Sequence, residues 1–153
     1  MSNKNNDDLK RQASENTLGL NPIIALRKKD LLASAKMVLS QAIRQPLHSV
    51  KHVAHFGVEL KNVMFGKSVL APESDDRRFQ DPAWSQNPLY KRYLQTYLAW
   101  RKELHDWIGD SNLSEQDISR GHFVINLMTE AMAPSNTAAN PAAVKRFFET
   151  GGK

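Results

Sequence analysis

Residues 87–109, NPLYKRYLQTYLAWRKELHDWIG, carry the clearest structural signal in the chain. Asn followed by Pro is typical of a helix start, because Asn caps free N–H groups and Pro fits the first helical position. Apolar residues then recur at helical spacing until Gly109 ends the pattern. The stripe comprises Tyr90, Tyr93, Leu94, Tyr97, Leu104 and Ile108, with Trp100 and Trp107 beside it. This stretch predicts a long amphipathic helix.

Two helices are predicted before this stretch. The first begins at Asn21–Pro22, with Asp30 as an alternative start, and Pro46 stops or kinks it because proline lacks the N–H that a helix needs. The second runs from about residue 47 to residue 65 and ends at Gly66. We expect its core face to consist of Val50, Val53, Gly57, Leu60 and Met64.

Two more helices are predicted after it. Ser114 opens one with a pattern resembling a capping box, in which Asp117 replaces the usual Glu or Gln, and Pro134 ends it. Its apolar arc is so wide that we expect the helix to be largely buried. The arc comprises Ile118, Val124, Ile125, Leu127, Met128, Ala131 and Met132. A short last helix starts at Asn140 and ends at Gly151.

These signals predict an all-α fold of about five helices, since no stretch shows the alternation of a strand. Residues 1–17 are almost entirely polar and predict a disordered tail, which leaves residues 18–153 as one helical domain. Residues 67–87 contain several prolines and predict a long irregular loop. Loops of that length are uncommon within a compact domain, so we expect this one to be functional or docked on a partner.

Composition excludes several classes of protein. The chain has 153 residues, of which 41% are hydrophobic and none is cysteine, so it has no disulfide framework, thiolate metal site or cysteine nucleophile. It lacks both a secretory signal and an apolar run of membrane-spanning length. We therefore expect a soluble, cytoplasmic chain. Most of its net charge of +5 comes from residues 1–60.

Four polar residues of the second helix share one face at helical spacing. They are His48, His52, His55 and Glu59. Histidines one turn apart can bind a metal, but four groups spread along about 16 Å of helix cannot all reach one ion. Because this face lies opposite the apolar one, we interpret it as a solvated polar face and predict no metal and no cofactor.

The stripe of the long helix contains one charged residue, Arg101. An arginine there favours a buried or interfacial ion pair over a ligand-binding role. The aromatic residues could stack nucleobases, but single-strand binders combine such residues with a positively charged groove. Lys102, Glu103 and Asp106 together make a mixed polar face. Core or interface aromatics are the favoured interpretation, with no specific nucleic-acid partner.

Motifs of catalysis are missing: the sequence has no G-x-S-x-G, Gly-rich phosphate loop, H-E-x-x-H or Walker pattern.

The first helix combines apolar residues with flanking lysines and arginines. Helices of this kind can lie on lipid or polymer surfaces, and packing on the other helices is an equally good interpretation. The apolar residues are Leu31, Leu32, Val38, Leu39 and Ile43.

One run of residues resembles a known family. Residues 76–90, DRRFQDPAWSQNPLY, resemble the D-R-R-F-x-D-P-A-W-x-x-N-P-L-Y signature in the N-terminal region of poly(3-hydroxyalkanoate) synthases. Residues 1–22, 91–108 and 120–153 are similar to the class II, medium-chain-length enzymes of pseudomonads. The resemblance covers essentially the whole chain.

The resemblance implies an acyltransferase in which 3-hydroxyacyl groups pass from coenzyme A thioesters to a cysteine of an α/β-hydrolase domain, with Asp and His completing the triad. This chain has no cysteine and ends at Lys153, so we expect an inactive N-terminal domain without catalytic residues. The resemblance further implies that this region serves dimerisation, granule attachment, contact with granule-associated proteins of the phasin type and support of the catalytic domain.

Two hypotheses about sites follow. In the first, the signature segment docks on the catalytic domain or on a second subunit, with Phe79 and Trp84 as apolar anchors, Arg77 and Arg78 pairing with acidic groups, and Tyr90 at its end. In the second, the Leu31, Leu32, Val38, Leu39 and Ile43 face lies on the polyester granule. The alternative is a self-standing helical protein that is granule-associated like a phasin, or that binds nucleic acid weakly through its basic N-terminal part.

Overall fold

The computed structural model describes residues 22–152, and the side chains of residues 29–152. The predicted tail and the Asn21 cap lie outside these residues. The described part is helical without strands, as predicted. Its helices are α1 (Pro22–Arg44), α2 (Pro46–Met64), α3 (Ala83–Gln86), α4 (Pro88–Gly109), α5 (Glu115–Ala131) and α6 (Pro141–Glu149). Two single 3₁₀ turns, Arg77–Phe79 and Pro134–Asn136, lie between them.

Helix α4 is the centre of the fold. Helices α2, α3 and α5 pack against it, and α1 packs mainly against α5. One core cluster, near the start of α4, contains Phe79, Trp84, Leu94, Tyr97 and Ala133. The second, near its end, contains Trp107, Ile108 and Ile125, with Val38, Ala42, Leu104 and Leu113 packed around them. The two clusters contain the stripe predicted for the long helix except Tyr93, which is 39% exposed.

The predicted helix boundaries are confirmed by their caps. The side chain of Asn87 accepts hydrogen bonds from the N–H groups of Leu89 and Tyr90, and Ser114 accepts one from the N–H of Asp117. Pro46 is the first residue of α2, and α1 stops just before it at Arg44. Asp30 lies inside an uninterrupted α1, so it does not start a helix.

The chain leaves α2 through a glycine in a left-handed conformation. Gly66 has a φ of 69°, and its N–H bonds to the carbonyl of Val63. A side chain is strained at such a φ, which explains why the predicted stop is a glycine. The loop that follows is less irregular than predicted, because it contains the first 3₁₀ turn and the single turn of α3.

The predicted burial of α5 is wrong. Only Gly121, Ile125 and Thr129, spaced four residues apart, are buried on it. Much of the remaining apolar arc is exposed, although both α4 and α1 contact α5; Leu127 is 48% exposed and Met128 is 40% exposed. Close packing is limited to the narrow stripe that contains Gly121, where α5 contacts Ile108 of α4.

The predicted orientation of α2 is also wrong. Val50, Val53 and Met64, expected in the core, are each more than 60% exposed, and the expected polar face is the one that packs on α4. His52 and Val63 are the buried residues of this helix.

Within residues 22–152, no helix combines the length and the apolar character that crossing a bilayer requires.

Candidate functional site: the apolar face of α1 and α2

Polar contacts determine which side of α2 faces α4. A ring nitrogen of His48 lies 2.8 Å from the carbonyl oxygen of Trp107, and His52 Nδ1 lies 2.5 Å from Glu103 Oε1. The indole N–H of Trp107 donates to the hydroxyl of Ser49 at 3.2 Å. Buried polar groups need hydrogen-bond partners, and α4 supplies them to this side of α2. The apolar side is therefore directed away from α4.

The outcome is a set of exposed apolar side chains on two consecutive helices, which we call the α1–α2 apolar face. Its members are Leu32, Leu39, Ile43, Leu47, Val50, Val53, Val58, Met64 and Phe65. Leu47 is 85% exposed and Ile43 is 76% exposed. Single exposed apolar side chains are ordinary, but a large set on two consecutive helices is a candidate interaction surface.

The junction between α1 and α2 is a single residue, Gln45, so the exposed apolar residues of the two helices follow one another closely along the chain. The N–H of Gln45 donates to the carbonyl of Gln41, and the N–H of Ser49 donates to that of Gln45, both at 3.0 Å. One bond closes the end of α1 and the other belongs to the first turn of α2, whereas Pro46 between them has no N–H to donate. Ile43 and Leu47, four positions apart, lie on either side of the junction.

Exposed basic side chains accompany the apolar face. They are Lys29, Lys36, Arg44, Lys51 and Lys61. Long lysine and arginine side chains can lay their methylene stems along an apolar surface while the charged end stays in water. The arrangement is that of a helix pair suited to a water–apolar boundary.

The five residues predicted to contact a granule are divided between two surfaces. Leu32, Leu39 and Ile43 belong to the exposed face, whereas Leu31 and Val38 are half-buried. Val38 packs against the Trp107 cluster, which removes it from any outer contact.

The signature segment folds into the chain's own core. Phe79 and Trp84 are 7% and 2% exposed and meet edge to face with ring centroids 5.4 Å apart. Trp84 makes a second edge-to-face contact with half-buried Tyr90, also at 5.4 Å. The two predicted anchors are thus inside this chain and are not available to a second domain.

Arg78 pairs within the chain as well. Its guanidinium hydrogen-bonds the carboxylate of Asp76 at 2.7–2.8 Å and reaches Glu130 on α5. The hydrogen bond from Arg78 holds the pKa of Asp76 below its ordinary value, and the same contact, together with Glu130, raises the pKa of Arg78. Arg77 is the exposed arginine of the signature.

Arg101 forms the ion pair that its position predicts. Its guanidinium lies 3.5 Å from a carboxylate oxygen of Glu130 and 3.3 Å from the amide oxygen of Asn126. Tyr97 and Trp107 are buried, so these two rings are unavailable for stacking on nucleobases. Core aromatics are the correct interpretation of these positions.

The predicted solvated histidine face is wrong, because His52 is 4% exposed. His52 and His55 turn toward Glu103, whereas Glu59 accepts hydrogen bonds from Asn62 and Ser68. The sequence placed Glu103 on a mixed polar face of the long helix and gave no sign that it meets the histidines of α2. Glu103 lies 51 residues from His52, and only the packing of α2 on α4 brings the two together.

Comparisons with known proteins give the chain its family. The model of the poly-beta-hydroxybutyrate polymerase (PhaC) N-terminus matches residues 75–153, about half of the chain. The chain is 82% identical, over all 153 residues, to poly(3-hydroxyalkanoate) polymerase 1 of Ectopseudomonas oleovorans. It is 46% identical over 133 residues to polymerase 2 of the same organism. No solved structure matches the chain significantly.

The helical fold, the signature segment and the family match, which covers this segment and α4–α6, all indicate the same family. The chain belongs to the poly-beta-hydroxybutyrate polymerase N-terminus family. The matches cover 27% and 24% of the two relatives, so this chain spans about a quarter of their length.

Proposed function

We propose that this chain is the helical N-terminal region of a poly(3-hydroxyalkanoate) polymerase and that its α1–α2 apolar face attaches the protein to the polyester granule. The observation that supports this most strongly is the orientation of α2, which packs its histidines on α4 and leaves Leu47, Val50 and Val53 exposed. A helix oriented in this way needs an apolar partner outside the described chain.

Energetics favour such a partner. Burying a leucine or isoleucine side chain contributes about 1.5–3 kcal/mol, so a few residues of this face suffice for stable adsorption. The basic side chains beside it keep the rim of the contact hydrated. The described part of the chain contributes a surface to the proposed function, and the sequence contains no cysteine to act as a nucleophile.

The same proposal includes three protein partners: the catalytic domain of the same polymerase, a second copy of the chain, and phasin-like granule proteins. Arg77 and the 76% exposed Leu89 are among the exposed residues of the signature segment and could contact the catalytic domain. These residues replace Phe79 and Trp84 in that role, because the latter two serve the core of this chain.

Co-sedimentation with granules tests the attachment. Replacing Leu39 and Ile43 with Glu places two charges on the apolar face and should lower the granule-bound fraction at least about tenfold. The matched control is Phe123→Glu with Leu127→Glu, which puts the same charges four residues apart on exposed positions of α5. The control should pellet like the unmodified chain.

Circular dichroism must show that both variants remain helical. Equal pelleting of the two variants would contradict the proposal. If Leu39→Glu with Ile43→Glu instead converts a dimer into a monomer while granule binding is retained, the face belongs to a second copy of the chain, and the attachment proposal is wrong.

A further inference from the structure

Three side chains of metal-ligating type meet where α2 packs on α4. They are His52 and His55 from α2 and Glu103 from α4, and each offers a ligand atom within 4.8 Å of the others. His52 Nδ1 lies 2.5 Å from Glu103 Oε1, and His55 Nδ1 lies 3.6 Å from the same oxygen. In the described part of the chain, no other group of three such residues converges in this way.

The helices make this geometry stable. Residues three apart on a helix are neighbours on one face, so the two imidazoles lie side by side, and Glu103 approaches them from the opposite helix. The side chains of His52 and Glu103 are 5% and 16% exposed, whereas that of His55 is 55% exposed. An ion could therefore enter past His55 and be held against two shielded ligands.

One buried atom of this cluster has no hydrogen-bond partner, and it lies where metal-bound histidines usually meet a second-shell carboxylate. His52 Nε2 is buried and makes no hydrogen bond, and the nearest carboxylate oxygen, Oδ2 of Asp110, lies 3.6 Å away. Metal-bound histidines usually donate their other ring N–H to a carboxylate, which orients the ring. With Nδ1 on an ion, His52 would carry its proton on Nε2 and direct it toward Asp110.

We infer that His52, His55 and Glu103 bind a divalent transition-metal ion of the zinc type, with water in the remaining position and Asp110 as the positioning residue for His52. Two imidazoles and one carboxylate suit Zn²⁺ and Co²⁺, whereas Mg²⁺ and Ca²⁺ prefer oxygen ligands alone. The ion would tie α2 to α4 and so stabilise the orientation of α2.

Titration of the untagged chain with zinc chloride, followed by calorimetry, tests the site. The chain should bind one Zn²⁺ per molecule, show the visible absorption bands of tetrahedral Co²⁺ on addition of cobalt chloride, and not respond to Mg²⁺. At a Zn²⁺ concentration about 100-fold above Kd, its Tm should rise by roughly 5–10 °C.

His55→Ala is the informative variant, because this half-exposed side chain can be removed without opening the core. It should weaken Zn²⁺ binding at least about tenfold, and Glu103→Gln should do the same. His122→Ala is the matched control, since His122 belongs to a separate histidine pair with His105 between α4 and α5. Unchanged Zn²⁺ affinity in His55→Ala, or an equal loss in His122→Ala, would overturn the assignment.

Discussion

Gly121 shows at the scale of a single residue how closely two helices approach. A methyl group at this position would lie 2.9 Å from Cδ1 of Ile108 and closer still to its Cγ1. Ile108 is fully buried, so it has little room to move aside. The contact is the point at which α5 rests on α4.

We predict that Gly121→Ala destabilises the chain by about 1–3 kcal/mol, because the added methyl group overpacks this crossing. Thermal unfolding followed by circular dichroism measures the effect. Gly57 is the matched control: it is also helical, but a methyl group there meets nothing within 4 Å. Gly57→Ala should be neutral or stabilising by up to about 1 kcal/mol, since alanine has the higher helix propensity. Equal destabilisation by both changes would show that the crossing is looser than described.

At the scale of an element, the segment before α4 behaves as part of the core. The 3₁₀ turn and α3 insert Phe79 and Trp84 against Leu94 and Tyr97 of α4. Arg78 links the same segment to α5 through Glu130. The large apolar residues of the signature segment are thus explained by their place in the core of this chain.

Trp84→Ala should therefore lower the free energy of unfolding of the isolated chain by about 3–5 kcal/mol, the usual cost of removing a large buried aromatic side chain. Chemical denaturation with urea measures it. Leu89→Ala, at an exposed position five residues further on, should change stability by less than about 0.5 kcal/mol. Unchanged stability in Trp84→Ala would mean that this tryptophan serves a partner and not the core.

Periodicity and capping residues predicted the bounds of α2, α4, α5 and α6 to within a few residues, but not the single turn of α3 or the uninterrupted course of α1 through Asp30. Asn87, Ser114 and Pro46 act locally, so their effect is visible in the sequence alone. The orientation of α2 was not predictable in this way. Its amphipathic pattern defines two faces, but which of them packs depends on Glu103 and the carbonyl of Trp107, both distant in the chain.

The same limit applies to the sites. Phe79 and Trp84 were predicted to anchor the signature segment on a second domain or subunit, whereas the structure buries both in the core of this chain. The sequence does not indicate which core an apolar residue enters. Leu39 and Ile43 were singled out as surface residues and are indeed exposed, whereas Val38 of the same group packs inside. Residues spaced three or four positions apart lie on the same face of a helix. Val38 is adjacent to Leu39 in sequence and therefore points to a neighbouring face.

At the scale of the whole molecule, the fold differs between its centre, which is packed, and its outer helices, which expose apolar side chains. Helices α2, α3 and α5 pack on α4 around two core clusters, while α1 and α2 expose the α1–α2 apolar face. This difference is the basis of the proposed attachment to a polyester surface.

The most direct measurement uses the absence of cysteine from the chain. Ile43→Cys and Arg120→Cys each give a single thiol on an exposed position, one on the α1–α2 apolar face and one on α5. Each is labelled with a polarity-sensitive fluorophore and mixed with poly(3-hydroxyalkanoate) particles. We expect a blue shift for the label at position 43 and none at position 120. No shift at position 43, or equal shifts at both positions, would contradict the assignment of this face to the polymer.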